Sequence, residues 1–133
     1  MKTTTVQRER ILVVDDLAAH RRVVAFNLEK AGFRVESAES AAEALRLAEQ
    51  NRFDLVVTDY FMPESTGADL ILALRQTDGY DSTPVILLTA RAPELNLSHL
   101  ANSLSARVVS KSCSVARLVA MVASSLSARR SEC

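Results

Sequence analysis

The chain predicts a doubly wound α/β fold: a parallel five-stranded sheet with helices on both faces. Two features of the sequence carry this reading. Short apolar segments rich in β-branched residues recur five times, and each is followed across a short connection by a stretch with helical periodicity. The 133 residues suffice for one domain of ordinary size and are too few for two substantial ones.

The predicted strands are RILVV (10–14), FRVESA (33–38), FDLVVT (53–58), PVILLT (84–89) and ARVVS (106–110). The first, third and fourth lack in/out alternation, which fits burial on both faces of a parallel sheet. Between the first two, Val23, Val24, Leu28 and Ala31 form a stripe that Gly32 ends. Ser40 and Glu43 have the spacing of a capping box before AAEALRLAEQN, where Ala44, Leu45 and Ala48 share a face. Leu70, Ile71 and Leu74 mark a third helix starting near Gly67. Leu97, Leu100 and Leu104 mark a fourth, opening near Pro93 or Glu94. Val115, Leu118, Val119, Val122 and Leu126 mark the last. Residues 1–9 read as a frayed tail, 10–128 as the domain and 129–133 as a second tail. QTDGYDST (76–83) is a polar turn region within the domain.

Hydrophobic residues make up 48% of the chain and charged residues 24%, enough apolar material for a core. Sixteen basic residues balance sixteen acidic ones, so no global basic field draws the chain to nucleic acid or an anionic membrane. The longest apolar runs are too short to span a bilayer, and the N-terminus lacks the apolar segment of a secretory signal. Cys113 and Cys133 form neither a disulfide framework nor a zinc spacing, which makes a reducing cytoplasm the expected setting.

In an open parallel sheet, ligands bind beyond the carboxyl ends of the strands. Those ends deliver Asp15 and Asp16 from the first strand, Asp59 from the third, Thr89 from the fourth and Lys111 from just after the fifth. Three carboxylates crowded together repel unless a cation joins them. A hard divalent cation with oxygen ligands resolves the repulsion, and magnesium takes one or two carboxylates and keeps open positions that suit a phosphoryl group.

The segments ILVVDD, DLVVTDYFMPESTG and VILLTA, with the single Lys111 after RVVS, resemble the receiver domain of two-component response regulators. The resemblance spans roughly residues 10 to 128. Thr89 follows Asp59 by 30 residues (89 − 59) and Lys111 follows it by 52 (111 − 59), spacings similar to those of single-domain chemotaxis receivers. The resemblance implies a flavodoxin-like sheet of order 2-1-3-4-5. It implies that Asp59 accepts a phosphoryl group from a phosphohistidine on a histidine kinase or histidine phosphotransfer protein. Asp16, Asp59 and the Phe61 backbone carbonyl would hold Mg2+, with Asp15 acting largely through water. Lys111, the Thr89 hydroxyl and the Ala90 N–H would meet the phosphoryl oxygens. Such a chain catalyses only its own phosphorylation and dephosphorylation. A separate output partner is expected, reached through the face formed by the fourth helix, fifth strand and last helix. A stand-alone receiver is the reading favoured, and a fragment of a hybrid kinase would look much the same.

Other readings of the residues are blander. Asp15 or Asp16 is also a natural acidic N-cap, Thr89 an ordinary strand-end threonine, and Lys111 a solvated lysine. His20 and His99 read as isolated helix-surface residues, Cys113 as a small loop residue and Met62-Pro63 as a turn anchor. Arg21-Arg22 read as solvated or as an aid to kinase docking. A flavin mononucleotide protein would share the fold, but DDLAAH offers its phosphate two anions. A haloacid dehalogenase-type phosphatase typically has a second Asp two residues after the nucleophile, where this chain has Phe61. The remaining alternative is a pseudo-receiver that binds proteins without using phosphorylation.

The chain departs from the family pattern around its switch. Val108 stands where an aromatic is usual, Ser112 where proline follows the lysine, and Leu104 where a glycine is expected. With Ser112, a trans Lys111–Ser112 bond is the expectation, because a non-proline cis bond costs about 2.5–4 kcal/mol. Valine is stiff at χ1 and too short to swing in and out of a slot. A switch would then run through the Thr89–Pro93 loop and the fourth helix.

Overall fold

A computed structural model describes residues 8–89, 106–111 and 113–131. The elements are β1 (Arg10–Val14), α1 (Ala18–Lys30), β2 (Arg34–Ala38), α2 (Ala41–Gln50), β3 (Leu55–Asp59), α3 (Gly67–Arg75), β4 (Val85–Thr89), β5 (Ala106–Ser110) and α4 (Val115–Ser131). The five strands are parallel and lie in the order β2-β1-β3-β4-β5, as the resemblance implied. The helix expected around Leu97–Leu104 lies outside the described residues. No described helix is long and apolar enough to cross a membrane.

Alternation of side chains along the strands sorts the core into two layers. Leu12, Val14, Val56 and Leu87 face Ala44, Ala48, Leu70, Ile71 and Leu74 of α2 and α3. Ile11, Val13, Leu55, Val57, Ile86 and Leu88 face Val24 and Leu28 of α1 and Leu118, Val122 and Leu126 of α4. β3 and β4 are buried along their whole length, the consequence of helices on both sides.

Local chemistry sets the helix ends. Gly32 has φ +107°, a left-handed conformation that stops α1 where the sequence placed its end. Ser40 Oγ accepts the Glu43 N–H at 3.1 Å, but Glu43 Oε1 accepts from Glu39 N–H instead of closing the box on Ser40. The complete capping box is at α3, where Thr66 and Asp69 bond each other's backbone. Two expectations on α1 are corrected: Val23 is 46% exposed and Ala31 also lies on the surface. Neighbouring helical residues point about 100° apart, and burial of Val24 with Leu28 turns Val23 outward.

Candidate functional site

The C-terminal ends of β1, β3 and β4, with the residue after β5, bring the expected groups together. Asp59 is the last residue of β3, one place beyond the strand end expected from the apolar run, and is only 5% exposed. Asp15, directly after β1, is 2% exposed, and Asp16 is the most open of the three acids. Carboxylate oxygens of Asp15, Asp16 and Asp59 lie within 4.8 Å of one another. Lys111 Nζ donates to Asp59 Oδ2 at 2.9 Å and stands 3.9 Å from Asp15 Oδ2. Thr89 is buried at the end of β4, and its carbonyl accepts the Lys111 N–H at 2.9 Å. Ala90 and Ser112 lie outside the described residues.

The loop after Asp59 is pinned by the backbone. Tyr60 N–H donates to Leu88 O and Gly67 N–H to Tyr60 O, both at 2.7 Å. Phe61 forms an antiparallel bridge with Thr66, and its ring is 43% exposed and edge-on to Tyr60 at 4.8 Å. This turn returns the chain so closely that only a glycine fits at 67. A Cβ there would collide with Leu87 Cδ1 and lie 2.6 Å from the Asp59 carbonyl.

Burial pushes the Asp59 carboxyl above its ordinary value. The Lys111 hydrogen bond pulls the other way, and the neighbouring charges of Asp15 and Asp16 add to the rise. A charge-assisted bond from one ammonium therefore does not offset desolvation and two nearby anions. The cluster is an all-oxygen carboxylate set at one point, which fits a hard divalent cation.

Neither acid caps α1. Leu17 occupies the N-cap position without a side-chain bond, and Asp15 Oδ1 accepts the Leu17 N–H at 2.9 Å. Two residues read as bland belong to the site's surroundings. His20 Nδ1 contacts Asp15 Oδ2, and Arg21 Nη1 donates to the Asp15 carbonyl at 2.7 Å. His20 lies five residues after Asp15, outside the three- and four-residue spacings of a helix face, so periodicity gave no signal. Met62 packs against the core, in keeping with an anchor, and Cys113 is a partly buried free thiol.

Comparisons with known proteins agree with this architecture. The model of the response regulator receiver domain matches residues 11–123. Chemotaxis protein CheY of Pseudomonas aeruginosa is 37% identical over 84 residues, 62% of this chain and 68% of that protein. The transcriptional regulatory protein ResD of Bacillus subtilis is 38% identical over 87 residues. That match takes in 65% of this chain and only 35% of ResD, so the chain spans about a third of that relative. The crystal structure of a CheY-like response regulator receiver domain protein from Methanospirillum hungatei superposes with a TM-score of 0.88 at 26% identity, covering 96% of this chain and 100% of the other. The chemotaxis protein CheY4 of Vibrio cholerae gives 0.82 at 29% identity, covering 87% and 97%. Sequence motifs, sheet order and the family match thus converge: the chain belongs to the response regulator receiver domains of two-component signal transduction.

Proposed function

We propose that the protein is a phosphoacceptor, receiving a phosphoryl group on Asp59 from the phosphohistidine of a kinase or phosphotransfer protein and signalling to a separate partner in the cytoplasm. The observation that carries this reading is the pairing of Asp59 with Lys111 at 2.9 Å inside a cluster of two further carboxylates. One lysine cannot balance three carboxylates, which leaves the cluster a place for a divalent cation beside the phosphoryl group.

In this reading an Asp59 carboxylate oxygen attacks phosphorus, and a P–O bond forms as the P–N bond of the donor breaks. The electron pair of that bond returns to the leaving imidazole nitrogen. Lys111, the Thr89 hydroxyl and the Ala90 N–H receive the three phosphoryl oxygens. Asp16, Asp59 and the Phe61 carbonyl would hold Mg2+, with Asp15 acting largely through water, and the bound ion would supply charge neutralisation. The protein's own contribution is preorganised charge and position.

Beryllofluoride with Mg2+ tests the reading, since it mimics a phosphorylated aspartate. Amide resonances of residues 89–104 are expected to shift more than those of 107–109, because Val108, partly buried against the core layer under α2 and α3, is a short residue with no ring to swing. A silent spectrum would favour a pseudo-receiver.

The lifetime of the phosphate gives a second expectation. By family resemblance, Phe61 and Arg91 flank the path of the hydrolytic water. An apolar ring offers that water no hydrogen bond, and an arginine can pair with the phosphoryl group. Slow self-dephosphorylation is expected, and Phe61→Asn combined with Arg91→Glu should accelerate it. Equal phosphate half-lives in the parent and the double variant would remove the shielding argument.

A further inference from the structure

Asp15 has all of its polar atoms engaged. Its N–H donates to Ala38 O at 3.1 Å, its carbonyl accepts from Arg21, and Oδ1 accepts the Leu17 N–H. That last bond is local, the ordinary turn of an aspartate onto the backbone two residues ahead. The bond from His20 Nδ1 to Oδ2 is of another kind, because it comes from a side chain inside α1 and takes the oxygen that faces Lys111. The imidazole is 28% exposed at its side chain, whereas Asp15 is 2% exposed.

We propose that His20 is a positioning residue for the acidic site, holding the plane of the Asp15 carboxylate and thereby setting the affinity for the divalent cation. The proposal rests on the cluster being a cation site. One anchor on Oδ1 leaves the carboxylate able to tilt, and a second anchor on Oδ2 fixes its plane. Asp15 meets the cation largely through water in this reading, and a carboxylate already fixed in orientation loses less freedom when the hydrated ion arrives. Outer-shell groups of this kind typically change metal affinity about 10–100-fold. The anchor has a second effect. Without the imidazole, Asp15 Oδ2 is free to close the 3.9 Å gap to Lys111 Nζ and draw that ammonium away from Asp59. His20 thus keeps two functions of the site apart: acids for the cation, ammonium for the phosphoryl group.

Isothermal titration of Mg2+ into the full chain tests this, with circular dichroism to verify that each variant is folded. His20→Ala is expected to weaken binding about 10-fold. His20→Asn should retain most of the affinity, because its amide N–H stands as many bonds from the backbone as Nδ1 does. In an Asp15→Asn background, His20→Ala should add nothing. Unchanged or tighter binding by His20→Ala, or equal losses with Ala and Asn, would overturn the proposal. Asp16→Ala separates it from the reading beneath it. If Asp16→Ala abolishes binding while His20→Ala leaves it intact, only the role of His20 falls. If Asp16→Ala binds Mg2+ as the parent does, the cation is not held by this cluster and both fall.

Discussion

Asp59→Asn is expected to abolish magnesium-dependent phosphorylation by acetyl phosphate, read as loss of the phosphorylated species by intact mass. The amide nitrogen has its lone pair delocalised, and the amide oxygen carries no full charge with which to attack phosphorus. Undiminished label in this variant would place phosphorylation elsewhere. The same substitution should raise stability at neutral pH in the absence of Mg2+. Burial first, then the charges of Asp15 and Asp16, raise the folded-state value of Asp59 above its unfolded value, so the folded protein holds that proton more tightly. Ionisation of Asp59 therefore opposes folding. The cost is absent below the unfolded value, near 3.8, and is complete once the pH has risen through the folded one. The melting temperature of Asp59→Asn should exceed that of the parent at pH 7, and the gap should shrink as the pH falls towards 4. Added Mg2+ should also narrow it, by stabilising only the parent. A gap that widened on acidification would mean that the Lys111 bond outweighs burial.

Gly67→Ala should be the most damaging single methyl in the described structure. Overpacking a core typically costs about 1–3 kcal/mol, because flexible side chains give way. Here one of the two close neighbours is a main-chain carbonyl, Asp59 O, 2.6 Å from the added carbon, and it belongs to the proposed phosphoacceptor itself. Relief requires moving either β3 or the start of α3. A loss of about 3 kcal/mol, or on the order of 10 °C in melting temperature, is expected. Phosphorylation by acetyl phosphate should fall as well, since the shift displaces Asp59. A variant with the parent's melting temperature would mean that the turn relaxes at no cost.

The five strands, and the placement of Asp15, Asp16, Asp59, Thr89 and Lys111 at their ends, were legible because each rests on a local signal, whereas the sheet order came only from the resemblance. Apolar runs mark the strands, and a carboxylate at the end of such a run is costly without a task. What escaped the sequence was relational. His20 meets Asp15 because the chain turns between extended backbone and helix at Asp16–Leu17, and a helical period says nothing across that turn. Val23 and Val24 both fit an apolar stripe, but only packing decides which of two neighbours faces the sheet. The Thr66–Asp69 box had a visible pattern, a threonine three residues before an acid, that was overshadowed by the glycine between them. The role of Gly67 is likewise invisible in a letter string, since it depends on a carbonyl eight residues earlier in the chain.

The hydrogen bonds along β4 have a consequence for how such a protein diversifies. Tyr60, the residue after Asp59, is fastened to Leu88, and Lys111 is fastened to Thr89. One strand therefore serves as the common reference for Asp59, Thr89 and Lys111. The ladder from Val85↔Ala106 to Thr89↔Ser110 restores the register after whatever separates β4 from β5. The connection beyond Arg91 can then change in sequence, and even in length, without moving Lys111 relative to Asp59. Selection for a new partner would be free to act on that connection while the pairing of Lys111 with Asp59 is kept.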